Sequence, residues 1–103
     1  MMEYESKHKL EGMLSNGYVN LTIDDAAAKE IYKMYNKDGN YFNRVKKATY
    51  RICNNPEQAE KLTGPLSGYR SKHVGSKVII FKYDRENGIN IKKIDEHDSA
   101  YGI

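Results

Sequence analysis

The stretch YRSKHVGSKVIIFKYDRENGINIKKID, running from Tyr69 to Asp95, decides the fold. It divides into three segments of strand composition, about Tyr69 to Val74, Lys77 to Tyr83 and Ile89 to Asp95. Gly75-Ser76 is short enough for a hairpin turn, and Asp84 to Gly88 ends in an Asn-Gly pair that tolerates positive φ. Three strands joined by two hairpins run antiparallel. Within the first of them, period-2 alternation groups His73 with Tyr69 and Ser71.

Working back from this sheet, Tyr18 to Ile23 alternates Val19, Leu21 and Ile23 with Asn20 and Thr22, the pattern of a strand with one buried face. Asp24 follows as an N-cap, with Asp25 at the positive end of the next helix. From Asp25 to about Tyr35, Ala27, Ile31 and Met34 recur at helical spacing, and Asn36 to Asn40 ends the helix. A second helix over Tyr41 to Cys53 carries Phe42, Val45, Thr49 and Ile52 on one face and a basic stripe, Arg44, Lys47 and Arg51, on the other. Asn54-Asn55-Pro56 stops it, and Lys61 to Gly68 is a loop feeding the sheet. The expected fold is α+β, in the order β-α-α-β-β-β: a small antiparallel sheet with two N-terminal helices on one face and the other face available. Met1 to Gly17 shows neither periodicity and ends in the turn signal Ser15-Asn16-Gly17, so residues 1–17 are expected to be an N-terminal extension ahead of a domain at 18–103.

Composition narrows the class. A chain of 103 residues has room for one modest core. Its formal net charge of +3 is too mild to name a partner, but the distribution is uneven. The first thirty residues hold six acids and three bases, whereas Lys61 to Lys82 holds five bases and no acid. Cys53 is the only cysteine, which excludes an intrachain disulfide and a cysteine-based metal cluster and fits a reducing compartment. The longest apolar run, Val78 to Phe81, is too short to cross a bilayer, and the N-terminus lacks a signal-peptide pattern; a cytoplasmic protein with no membrane partner is expected. The three histidines do not fall at ligand spacing, and Asp84 to Gly88 lacks the alternating oxygen ligands of a calcium loop, so neither a metal nor another cofactor is expected.

The run Pro65-Leu66-Ser67-Gly68-Tyr69-Arg70-Ser71-Lys72-His73-Val74-Gly75, followed by the apolar strand Val78 to Phe81, resembles the middle of RelE-superfamily toxins and is most similar to their YafQ branch. In that branch a P-L-S-G loop leads into G-Y-R-x-x-H, then a hydrophobic strand, then an H-x-x-x-aromatic element, present here as His97-Asp98-Ser99-Ala100-Tyr101. The resemblance covers roughly Tyr18 to Gly102. It departs in three places. Lys61 and Thr63 stand where YafQ-type enzymes place a further histidine, Ser76-Lys77 where they place an acid, and Val78 where RelE-type members place an arginine. The catalytic set is therefore incomplete or substituted.

The resemblance implies an endoribonuclease, an mRNA interferase that cuts messenger RNA in the ribosomal A site, stops translation and is silenced by a cognate antitoxin. Metal-free cleavage has the ribose 2′-hydroxyl attack the adjacent phosphate. It needs a base for that proton, an acid for the leaving 5′-oxygen and cations around the phosphorane. Histidine suits either proton role near neutral pH. His73 and His97 are the expected acid/base pair, with Tyr101 as auxiliary proton donor or stacking platform. Arg70, Lys72 and Lys77 are expected around the phosphate, and Arg44, Lys47 and Arg51 against ribosomal RNA. Two alternatives stand beside this: a ParE-like gyrase poison, which shares the fold without cleaving anything, and a decayed toxin that retains RNA binding.

Overall fold

The structure is a computed structural model that describes residues 4–15 and 20–96, with side chains described at 8–14 and 20–96. Three helices, α1 (Tyr4–Ser15), α2 (Asp25–Lys37) and α3 (Gly39–Asn54), accompany five strands: β1 (Leu21–Ile23), β2 (Glu60–Lys61), β3 (Arg70–Val74), β4 (Lys77–Asp84) and β5 (Gly88–Glu96). Single helical turns at Pro56–Gln58 and Gly64–Leu66 shape the connection from α3 to β3. The α+β class and the two helices ahead of the three-stranded meander are as expected.

The strands form one sheet in the order β1-β5-β4-β3-β2. The meander is antiparallel, but β1 lies parallel to β5, so the sheet is mixed rather than wholly antiparallel. Ile89 N donates to Asn20 O at 2.8 Å and Asp24 N to Ile91 O at 2.9 Å, which locks the first strand against the last. Gly88 makes that approach possible: its φ is +82°, and a Cβ there would lie 2.2 Å from Asn20 O. A side chain at 88 would both strain the backbone and separate β1 from β5.

β5 also breaks the simple alternation. Phe81 pairs with Ile91 while Ile80 pairs with Lys93, so Lys92 is an extra residue on β5. The bulge returns Ile94 to the face shared by Ile89 and Ile91, and all three are buried.

Ala27, Ala28, Ile31 and Met34 of α2 and Phe42, Val45, Ile52 and Cys53 of α3 pack on the face carrying Ile79 and Phe81. The helices meet at a one-residue corner. Asp38 N donates to Met34 O at the end of α2, and Asp38 Oδ1 accepts from Tyr41 N at 3.1 Å at the start of α3. Thr49 is wholly buried with its hydroxyl donating to Val45 O at 2.8 Å, so its burial leaves no unmet donor.

The expected extension over 1–17 is corrected by the structure, in which α1 is part of the core. Leu10 and Leu14, one helical turn apart, are 2% and 0% exposed, and α1 packs against β1, α2 and α3. Glu11 lies between them. Its Oε2 accepts from Ile23 N at 2.8 Å, satisfying an amide on the outer side of edge strand β1, while Oε1 lies 3.2 Å from His8 Nδ1. Two buried leucines around a glycine, Gly12, make a weak periodic signal, and the glutamate's role exists only once β1 is in place.

Leu14→Ala should lower unfolding free energy by about 2–5 kcal/mol in urea titrations, where an extension outside the core would change it little. Burial pushes the Cys53 thiol up to about 11, so at pH 8 iodoacetamide should label it only in denaturant; ready labelling of the native protein would contradict its core position.

Candidate nucleic-acid interface

Strand alternation assigns the chemistry-bearing side chains to opposite faces of the sheet. On β3, Ser71 and His73 share one face, and Arg70, Lys72 and Val74 share the other. Register carries this across: His73 is in line with Val78 and then Asp95, and Ser71 with Ile80 and then Lys93. Val78 and Ile80 are fully buried in a small cluster of their own, covered by Leu62 and Tyr69 from the loop before β3. This is the face away from the helices. His73 is exposed on it, Lys82 Nζ sits 4.7 Å from the centre of the Tyr69 ring, and Ser71 Oγ donates to Glu60 Oε2 at 3.4 Å.

The expected phosphate set does not gather around His73. Arg70 lies on the helix side, where its guanidinium donates to Glu57 O and Ala59 O at 3.2 and 3.1 Å and clamps the turn after α3. Lys72 points to that side too, into a pocket it shares with Arg51. Lys77 is held by two carboxylates, Glu30 of α2 and Glu96 of β5, each at 3.3 Å. His97 and Tyr101 lie outside the described residues. Among the described residues, the register places the cations Lys82 and Lys93 on the His73 face, and Lys92 at the bulge reaches Asp24 beside Asn90. The same period-2 rule that groups His73 with Tyr69 and Ser71 could have found the first of these, but the bulge at Lys92 hides the second.

The α3 stripe is as the periodicity predicts: Arg44, Lys47 and Arg51 are all exposed. Arg44 stacks over the Tyr41 ring at 5.4 Å, and Tyr41 Oη donates to Val74 O. The two guanidinium nitrogens of Arg44 lie 3.2 Å from where a Cβ would stand on Gly75, whose φ is +62°. One end of the stripe therefore abuts the β3–β4 turn, two residues past His73, and the other end reaches Lys72. Together these surfaces can receive a polyanion in two ways: a histidine and lysines on the open face, and a line of cations along α3.

No protein-family model and no curated sequence matches the chain. Solved structures do. The YoeB–YefM complex from Staphylococcus aureus matches at 20% identity and a TM-score of 0.66, over 77% of this chain and 97% of that one. The toxin–antitoxin complex RelBE2 from Mycobacterium tuberculosis matches at 16% and 0.64, over 77% and 98%. YafQ from E. coli strain BL21(DE3) matches at 18% and 0.63, over 80% and 97%. The chain thus has the fold of RelE/ParE-superfamily toxins, and the likeness extends to YoeB and RelE types as well as YafQ without singling out the YafQ branch. Among the described residues, no helix is long and apolar enough to cross a membrane.

The Lys77 bridge has a defined pH signature. Burial lowers the pKa of Lys77, but the hydrogen bonds and charges of Glu30 and Glu96 outweigh it and leave the pKa above the usual 10.5. A raised folded-state pKa contributes stability that is complete below the unfolded value and lost as pH climbs through the folded one. The gap in urea midpoint between wild type and Lys77→Gln should therefore stay constant from neutral pH to about pH 9 and shrink above about 10.5. A gap independent of pH into that range would show that the ion pairs do not couple to folding.

Proposed function

We propose that this chain is the toxin of a type II toxin–antitoxin pair and that it cleaves messenger RNA at the open face of its sheet. The observation that carries this reading is the placement of His73: it stands exposed, on a toxin-type fold, on the face that the helices leave uncovered and that Lys82 and Lys93 share. The resemblance in sequence and the likeness in fold are independent supports, since one rests on a loop and strand motif and the other on topology.

In this reading the substrate's 2′-hydroxyl attacks the adjacent phosphorus, and the 5′-oxygen leaves. His73 and His97 serve as the base and the acid, and Tyr101 assists the leaving group or stacks on a base. Lys93, two strands across from β3, offsets charge on the phosphorane in the role first expected of Arg70, Lys72 and Lys77, and Lys82, four residues along β4 from the partner of His73, holds the RNA farther along the face. The α3 stripe holds RNA backbone, ribosomal or messenger, through its phosphates. The histidine and acid missing from the YafQ-type set make this a reduced catalytic constellation, consistent with a slow enzyme or with dependence on the ribosome to position the substrate.

The expected partner is a cognate antitoxin, as the YoeB–YefM and RelBE2 complexes illustrate for their own toxins. An antitoxin segment carrying acids would compete with RNA for the same cations. The ParE-like reading, poisoning of gyrase by binding alone, makes no use of an exposed histidine on the open face and is the second choice for that reason.

Primer extension on a defined mRNA, with and without purified ribosomes, tests the proposal. Wild type should give discrete cuts that His73→Ala/His97→Ala abolishes, with a rate loss of about a hundredfold or more for removing acid and base together. A folded wild type that cuts nothing in either arm would reject cleavage and leave gyrase poisoning to be tested by supercoiling assay.

A further inference from the structure

Away from the His73 face, where the last turn of α3, the Pro56–Gln58 turn and β3 meet, lies a pocket of about 290 Å³. Arg51 of α3 and Lys72 of β3 line it, with Asn54, Asn55 and Gln58 as its other polar residues. No carboxylate is among the described residues lining it. Glu60, nearby in sequence, is turned to the opposite face, where it accepts from Ser71. Arg70 is tied to the carbonyls of Glu57 and Ala59, so it fixes the turn that carries Gln58 and leaves Lys72 as the strand's cation in the pocket.

The chemistry of the wall selects an oxyanion. A guanidinium offers a planar fork of donors, an ammonium offers a compact charge, and each amide both donates and accepts. The carbonyls at the end of α3 oppose this with roughly half a negative charge, which two full positive charges outweigh. One of those carbonyls, Arg51 O, is already met by Asn55 N at 3.0 Å.

We infer that this pocket seats a backbone phosphate of an RNA strand, with Arg51 and Lys72 on the phosphate oxygens and the amides on the neighbouring 2′-hydroxyl. The inference rests on the RNA reading proposed above and adds a second anchor, on the other side of the sheet from the cleaving face. Arg44 and Lys47 continue the line of charge from Arg51 along the exposed side of α3, over about 10 Å at the helical rise per residue. A run of cations with amides at its end matches a sugar–phosphate chain better than isolated carboxylates do, because a 2′-hydroxyl needs a partner that can both donate and accept. The anchor holds RNA without contributing to bond breaking, so its loss acts on binding.

The test is fluorescence anisotropy in a His73→Ala background, which keeps the probe intact. The probes are a labelled oligoribonucleotide of about ten nucleotides, the same sequence as DNA, and a glutamate-rich peptide, each titrated between about 50 and 200 mM salt. Arg51→Gln/Lys72→Gln should weaken RNA binding about tenfold and make the slope of log K against log salt shallower by about 0.7, the value for one phosphate contact on a single strand. Arg51→Lys/Lys72→Arg, which keeps both charges, should hold the slope, and Asn54→Ala/Gln58→Ala should narrow the preference for RNA over DNA. Unchanged RNA affinity and slope in the Gln pair would overturn the pocket while leaving the RNA reading intact. A parent that binds no RNA would overturn both, and capture of the acidic peptide in place of RNA through Arg51 and Lys72 would overturn the inference in favour of an acidic protein ligand.

Discussion

Val78, Ile79, Ile80 and Phe81 are four apolar residues in a row on one strand, and a strand alternates its side chains, so β4 can bury them only if both faces are covered at its centre. The rest of the structure meets that demand. Ile79 and Phe81 take the helices, which supply a broad core; Val78 and Ile80 take a much smaller cover from Leu62 and Tyr69. The asymmetry of the two covers is what gives the molecule one closed side and one open side.

The same alternation governs where charge can act. Neighbouring residues on β3 are on opposite faces, so His73 and Lys72 cannot serve one phosphate from their strand positions. Arg70, Lys72 and Lys77 each have a task on the helix side: clamping the turn after α3, lining the pocket with Arg51, and bridging α2 to the end of β5. The open face draws instead on Lys82 and Lys93. The two charged surfaces approach each other at the β3–β4 turn, where Arg44 meets Gly75, two residues past His73.

Closure of the sheet is the other constraint with long reach. Placing β1 beside β5 brings the two ends of the described fold together, and it depends on small features: a glycine at 88 that lets Asn20 approach, and a glutamate on α1 that meets the outward amide of Ile23. Because Glu11, Leu10 and Leu14 act together, α1 protects the edge strand and completes the core in one packing event, and β1 at three residues is too short to hold the edge by its own hydrogen bonds alone.

What the sequence determined by itself was local: the three-stranded meander, because its turns are spelled by Gly75-Ser76 and Asn87-Gly88; α2 and α3, because their apolar residues keep helical spacing; and the basic stripe on α3, because a helix face is a matter of periodicity. The grouping of His73 with Tyr69 and Ser71 was equally legible, and alternation alone already set it apart from Arg70 and Lys72; it was the family motif, read as a string, that drew them together. The tertiary structure alone decided what depends on distant partners. The parallel pairing of β1 with β5, the place of α1 in the core, the bulge that turns Lys93 to the open face, the two glutamates on Lys77 and the meeting of Arg51 with Lys72 all join residues far apart in the chain, and no local pattern encodes a contact whose free energy appears only when both partners are already in place.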